Sequence, residues 1–167
     1  FRCIKDLHGK GVIHRDIKPQ NFLIRPLRRY PVALIDFGLS YISKGIRGGK
    51  VRKGRFNFAG TLQYASPEVI KGGIPTERDD FYGWILTVIE LMNGRLPWSN
   101  ITSKNEMVDA MNKEDGTTFC GYVPDEIVEI FKLLKKKDIN VDYIESLLDQ
   151  SIEANMVEWD DPFVWEE

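Results

Sequence analysis

The sequence of 167 residues contains few of the side chains that build metal centres or disulfide frameworks. Its two cysteines, Cys3 and Cys120, lie far apart and lack the spacing of metal ligands. Its two histidines, His8 and His14, form no metal-binding pattern either. We therefore expect a protein of a reducing, intracellular compartment, either cytoplasmic or nuclear.

The sequence also lacks long apolar runs and a large net charge. No run approaches the roughly 20 apolar residues that span a bilayer, and we expect neither a signal peptide nor a membrane partner. The net charge of −2 argues against nucleic acid as a partner. With 43% hydrophobic and 29% charged residues and no internal repeat, the chain is long enough for one domain and short for two.

A third absence is local, because the segment from Leu39 to Ser66 contains no acidic residue. This Gly-rich segment, interpreted as a long loop, carries the cations Lys44, Arg47, Lys50, Arg52, Lys53 and Arg55. Like charges repel one another, so the loop should favour acidic or already phosphorylated peptides. The alternative is a basic surface that is simply solvated.

What the sequence does contain is a dense polar set between His14 and Asn21. Asp16 can accept or orient a hydroxyl proton, Lys18 can neutralise a moving phosphoryl group, and Asn21 can offer an oxygen to Mg²⁺. Pro19 keeps Lys18 out of the helical region, which predicts a rigid, extended loop. For any one of these residues alone, a solvated surface loop is the simpler interpretation.

A second motif, Asp36-Phe37-Gly38, follows a short apolar segment at Val32–Ile35. That segment is predicted to be a strand and to pair with Phe22–Ile24 in a small hairpin. A carboxylate at the end of a strand, beside a glycine that turns the backbone, suits a magnesium ligand. Because Mg²⁺ takes few protein oxygens, Asn21 and Asp36 would suffice.

The two motifs resemble the H-R-D-x-K-P-x-N and D-F-G motifs of the eukaryotic protein kinases. The resemblance implies that Asp16 is the catalytic base, that Lys18 assists it beside the phosphate, and that Asn21 and Asp36 bind the Mg²⁺ of ATP. It also implies that Leu23 lies under the adenine ring, although an ordinary core leucine fits the sequence equally well. The position of Lys18 is similar to that in serine/threonine-specific kinases.

The stretch Gly60–Ser66 is similar to the G-T-x-x-Y-A-S of the casein kinase I superfamily, which includes tau-tubulin kinases and vaccinia-related kinases. The resemblance implies that the Thr61 hydroxyl bonds the catalytic aspartate and lysine. It makes the segment from Leu39 to Ser66 the activation segment, on which a protein substrate docks, and it implies that Arg15 reaches this segment.

The resemblance leaves one ion pair open. In mainstream kinases the glutamate matching Glu68 pairs with a buried arginine near the C-terminal helices, where this sequence offers only Lys135, Lys136 and Lys137. A lysine cannot make the same two-pronged contact, so the partner of Glu68 stays open. Asp80 is implied to bond the backbone of the catalytic loop, His14–Asn21, and the alternative is a simple charge at a helix start.

Helical patterns fill most of the remaining sequence. Helices are predicted at Phe1–Leu7, after the Ser66-Pro67 cap, from the Thr76/Asp79 capping box to Gly94, from Ser103 to Met111, around Ile127, Ile130, Phe131 and Leu134, and after Asn140. The helix at Phe81–Met92 is apolar nearly all round and should be buried. We expect an α+β fold, mainly α, in which residues 1–167 form a protein-kinase-like C-terminal lobe with a small β-hairpin sheet at the catalytic cleft.

These observations favour a serine/threonine protein kinase acting with ATP and Mg²⁺ on acidic or primed protein segments. The kinase resemblance covers one of two lobes, since the sequence contains no Gly-rich phosphate loop and no strand lysine with its helix glutamate. We therefore expect the N-terminal lobe of the same protein as a partner, an exposed apolar face near Phe37, and slow phosphotransfer by this segment alone. The alternatives are a non-catalytic kinase-like module that binds acidic or phosphorylated peptides, and a small-molecule phosphotransferase.

Overall fold

The architecture comes from a computed structural model that describes residues 1–25, 31–43, 57–119, 123–137 and 139–157. The α-helices of this part are α1 (Arg2–Gly9), α2 (Pro67–Ile70), α3 (Glu77–Asn93), α4 (Lys104–Lys113), α5 (Asp125–Lys135) and α6 (Val141–Ala154). The strands are β1 (Val12–Ile13), β2 (Phe22–Ile24), β3 (Val32–Leu34) and β4 (Tyr41–Ile42), and short 3-10 turns occur at Pro19–Asn21 and Leu62–Tyr64. The fold is mainly helical with small antiparallel sheets, as the sequence predicts.

The strands form two antiparallel pairs. In the predicted hairpin, Phe22 of β2 lies opposite Leu34 of β3. The second pair joins β1 to β4, with Val12 opposite Ile42. The interpretation of Leu39–Ser66 as one long loop is therefore wrong at β4 and at the 3-10 turn, because the short apolar pair in β4 forms a strand only against the open edge of β1.

Helix α3 is the centre of the core. It begins where the Asp79 carboxylate accepts the backbone N–H and the hydroxyl of Thr76, both at 2.7 Å. It ends at Gly94, whose φ of 77° is left-handed, as the sequence predicts. Because its side chains are apolar on nearly every face, Phe81 to Ile89 includes only one residue, Val88, that is not buried.

Helix α5 packs on α3, and α6 packs against α5. The predicted apolar face of α5 is buried throughout, at Ile127, Ile130, Phe131 and Leu134. Helix α6 begins as predicted at Asn140, whose side chain accepts the Tyr143 N–H at 3.0 Å. In the described part of the chain, no helix combines the length and the apolar character that crossing a membrane requires.

Around the β2–β3 hairpin, apolar side chains face solvent. Phe37 is 50% exposed and Leu23 is 49% exposed. Ile24 and Val32 are exposed beside them. The predicted apolar face near Phe37 is therefore present at this end of the molecule.

Candidate active site

The loop between β1 and β2 is held by the Asp80 carboxylate, which is only 1% exposed. Its Oδ2 accepts the His14 N–H at 2.7 Å and its Oδ1 accepts the Arg15 N–H at 2.8 Å. The buried His8 donates to Oδ2 from Nε2 at 2.9 Å. These are the backbone contacts expected of Asp80, so it is more than a charge at a helix start.

Arg15 needs this support because its φ is 75°, in the left-handed region. Such a conformation costs of order 1–3 kcal/mol in a non-glycine residue. A hydrogen bond to a charged group contributes about 1.5–3 kcal/mol, so the bond from the Arg15 N–H to Asp80 can offset that strain.

His14 connects this loop to the strand before Asp36. Its buried ring donates from Nε2 to the Ile35 carbonyl at 2.9 Å, and its Nδ1 accepts the Asp16 N–H at 3.4 Å. The two contacts fit the tautomer that carries its proton on Nε2. The Phe37 ring packs edge-on against it, with ring centroids 5.2 Å apart.

Asp16, Lys18 and Thr61 form a closed set of contacts. Lys18 Nζ lies 2.8 Å from Asp16 Oδ2 and donates to Thr61 Oγ1 at 3.0 Å. Thr61 Oγ1 donates to Asp16 Oδ1 at 2.8 Å. Gly60 permits this approach, since a Cβ there would lie 2.6 Å from the Arg15 carbonyl oxygen. The structure thus brings together three predicted residues that are separated by up to 45 positions.

These contacts determine the charge of Asp16. Burial alone would raise the pKa of its carboxyl group, but hydrogen bonds from Lys18 and Thr61 and the charge of Lys18 outweigh burial and lower the pKa. Asp16 is therefore ionised at neutral pH. An ionised carboxylate beside an ammonium group can accept or orient a hydroxyl proton.

Asn21 and Asp36 lie at the same end of the hairpin. The Asn21 side chain donates from Nδ2 to the Asp16 backbone carbonyl at 2.7 Å. The Asn21 backbone carbonyl accepts the Ile35 N–H at 2.9 Å. Asp36 follows directly, exposed, with a φ of 62° and with Oδ1 accepting the Gly38 N–H at 3.3 Å. One amide oxygen and one carboxylate are hard ligands, and this donor set fits a Mg²⁺ ion that keeps water and phosphate oxygens in its other positions.

The remaining predicted site residues have different outcomes. Leu23 is 49% exposed, so it lies outside the core of the described residues, and its place under an adenine ring stays a prediction. Arg15 donates from Nη1 to the Leu39 carbonyl at 3.3 Å, at the start of the basic segment. The basic residues Lys44, Arg47, Lys50, Arg52, Lys53 and Arg55 lie outside the described residues, and the anion site stays a prediction.

Glu68 pairs with Lys137, one of the three lysines named above, and with an arginine that the sequence analysis did not consider. Buried Arg78, on α3, donates from Nη1 to Glu68 Oε2 at 3.3 Å, and Lys137 lies 3.1 Å from Oε1. Burial would raise the pKa of Glu68, but hydrogen bonds from its backbone and Lys137 and the Arg78 contact lower it. The restriction to Lys135–Lys137 was therefore right about Lys137 but missed Arg78, because it followed chain position and not the tertiary contacts of Glu68. Arg78 also donates to the Leu134 carbonyl of α5 at 2.6 Å.

Sequence reasoning also missed the contacts that hold the turn after Thr61. Ser66 donates to Asp79 Oδ1 at 2.6 Å, and the Trp98 indole donates to the Gln63 carbonyl at 2.8 Å. The Tyr64 hydroxyl donates to Glu90, and burial followed by this contact raises the pKa of Tyr64, so the phenol remains a donor. The Asp79 and Glu90 contacts could have been predicted from the presence of these polar residues in an otherwise apolar α3.

Residues 1–154 match the family described as the protein kinase domain. The chain therefore belongs to the protein kinase domain family. The polar set around Asp16 and the pair Asn21 and Asp36 thus lie within the residues that match the kinase domain.

Individual relatives span much of this kinase domain. A probable serine/threonine-protein kinase of Dictyostelium discoideum is 29% identical over 99% of the chain and 35% of its own length. A probable casein kinase I homolog of Encephalitozoon cuniculi is 29% identical over 93% of the chain and 52% of its own length. Serine/threonine-protein kinase pkn3 of Myxococcus xanthus is 36% identical over 59% of the chain, which spans 18% of that protein. The chain thus spans about half or less of each of these relatives.

Lys18→Met should raise the pKa of Asp16. Burial raises this pKa, and the ammonium group that counters the effect of burial would be absent. Folding lowers this pKa in the unaltered domain, so ionised Asp16 stabilises the fold above about pH 4, and that contribution is lost as the pH falls through the folded-state pKa. Titration of the Asp16 carboxyl carbon by NMR measures the change. The control Lys5→Met removes a cation that pairs with Glu145 on the surface. Identical Asp16 titrations in Lys18→Met and the unaltered domain would contradict the conclusion that Lys18 lowers the pKa of Asp16.

Arg78→Met should destabilise the kinase domain by about 2 kcal/mol. Loss of the buried guanidinium leaves its carboxylate and carbonyl partners on three elements without their hydrogen-bond donor. Glu68→Gln should cost less than about 1 kcal/mol, because the Glu68 side chain is 41% exposed and solvent screens its charge. Urea unfolding measures both free energies, and Lys5→Met is the surface control. Equal losses for Glu68→Gln and Arg78→Met would show that the ion pair, not the buried arginine, dominates.

Proposed function

We propose that this kinase domain is the catalytic part of a serine/threonine protein kinase that transfers the γ-phosphoryl group of ATP. The observation that carries the proposal is the closed set of contacts among Asp16, Lys18 and Thr61. Asn21, bonded to the same loop, and Asp36, at the end of the hairpin, complete the site. We assign Asp16 as the catalytic base, and Asn21 and Asp36 as the ligands of Mg²⁺.

Each residue of the set has a physical task. Asp16 is held ionised and can take the proton of a substrate hydroxyl. Lys18 carries its charge beside Asp16 and can balance negative charge that develops on the oxygens of the transferred phosphoryl group. The Thr61 hydroxyl donates to Asp16 and accepts from Lys18, so it fixes the distance between these two side chains. Bound Mg²⁺-ATP would supply the phosphoryl group and neutralise its oxygens.

The hairpin supports a place for the rest of the nucleotide. Leu23 presents an exposed apolar side chain on β2, immediately after the loop that carries Asn21. An adenine ring could cover it, and the exposed Phe37 and its apolar neighbours would pack against an N-terminal lobe that grips the phosphates. We therefore propose that residues 1–167 act as a C-terminal lobe and that phosphotransfer needs the other lobe of the same protein.

For the substrate class, we propose acidic or already phosphorylated protein segments, as in enzymes of the casein kinase I type. The support is the G-T-L-Q-Y-A-S stretch, the similarity to the protein named as a casein kinase I homolog, and the six cations without acidic neighbours between Leu39 and Ser66. Arg15, which already reaches Leu39, would add to that charge. We also propose an intracellular location, because the proposed reaction consumes ATP.

The experiment is Asp36→Ala in the full-length protein that contains this chain, assayed with Mg²⁺-ATP and an acidic peptide. We expect phosphotransfer to fall at least about 100-fold, because the carboxylate that holds the ion is lost. The matched control is Asp6→Ala, which removes an exposed carboxylate from α1 and should leave the rate unchanged.

The same assay, run also with small-molecule acceptors, separates the three candidate functions. Turnover that survives Asp36→Ala would refute the assigned metal ligand. If the unaltered protein binds the acidic peptide but transfers no phosphate, the chain is a non-catalytic peptide-binding module. Turnover of an aminoglycoside or choline-type compound instead of the peptide would indicate a small-molecule phosphotransferase.

A further inference from the structure

Gly83 lies in the interior of the central helix α3, where glycine is costly. A glycine in a helix interior is about 1 kcal/mol less favourable than alanine. Its backbone is helical and needs no positive φ, so conformational freedom does not explain the residue. The Thr87 hydroxyl donates to the Gly83 carbonyl at 2.9 Å, which fixes the peptide in place.

Close approach of two other segments does explain it. A Cβ on Gly83 would lie 3.0 Å from the Ile17 carbonyl oxygen and 3.1 Å from the Ile17 Cβ. It would also lie 3.2 Å from the Tyr64 carbonyl oxygen. All three distances are shorter than ordinary van der Waals contact, and two of them involve backbone atoms that cannot rotate away. The catalytic loop and the turn after Thr61 therefore both rest on the bare backbone of Gly83.

These two segments carry the catalytic set. Ile17 follows Asp16 directly, and Tyr64 belongs to the 3-10 turn that Thr61 begins. We infer that Gly83 is a positioning residue, which sets how deeply the catalytic loop and the turn after Thr61 lie against α3 and so fixes Thr61 against Asp16 and Lys18. The inference rests on the proposed kinase function.

Gly83→Ala in the full-length protein tests this role. The methyl group must push Ile17 or Tyr64 outward by a few tenths of an ångström, and misplacement of reacting groups is costly. We expect kcat to fall about tenfold, with KM for ATP within about twofold, because the shift acts on Asp16 and not on the nucleotide site. The thermal midpoint should not fall, because alanine favours the helix. Gly83→Ser, which is larger, should lose at least as much activity.

The matched control is Gly9→Ala, at the end of α1, where a Cβ would meet nothing within 4 Å. It should leave kcat unchanged. A Gly83→Ala protein with kcat within about twofold of the unaltered protein would overturn the inference. A lowered midpoint with full activity per folded molecule would also overturn it, because the role would then be structural.

A readout without catalysis separates this inference from the proposed function. Backbone amide chemical shifts of Ile17 and Tyr64 should move in Gly83→Ala and stay fixed in Gly9→Ala. If the unaltered protein shows no phosphotransfer, the proposed function fails, and these shifts still decide the positioning role. Unmoved Ile17 and Tyr64 amides would overturn it.

Discussion

A single buried carboxylate gives the catalytic loop its shape. Asp80 lies in the first turn of the central helix α3, where the helix dipole favours a negative charge, and it accepts the backbone N–H groups of His14 and Arg15 and the His8 ring. Because α3 is enclosed by the core, the carboxylate cannot shift to follow a distorted loop. The strained Arg15 therefore adopts the conformation that leaves Asp16 facing Lys18 and Thr61.

The two residues before Asp80 extend the same arrangement. Side chains that follow one another on a helix project about 100° apart, so three consecutive residues can reach three neighbours. Arg78 contacts α2 and α5, Asp79 joins Thr76 to Ser66, and Asp80 holds the catalytic loop. The first turn of α3 thus holds the turn after Thr61 and the catalytic loop against one rigid element.

Sequence patterns predicted those features whose cause is local. The capping box at Thr76, the cap at Ser66 and the β2–β3 hairpin each depend on residues close together in the chain, and each is present. The Arg78 partner of Glu68 was missed because that contact exists only once the fold brings the two side chains together. Strand β4 was missed because two apolar residues form a strand only beside β1. The close approach at Gly83 depends on segments far from it in sequence.

Backbone hydrogen exchange of Asp80→Asn tests most directly whether this carboxylate shapes the site. Asparagine has the same size but loses the charge and one acceptor oxygen, and a loss of about 1.4 kcal/mol corresponds to a factor of ten in the opening equilibrium. We expect the His14 and Arg15 amides to exchange at least about tenfold faster, while the buried amides of Ile130 and Phe131 in α5 keep their protection. Unchanged protection at His14 and Arg15 would contradict the account.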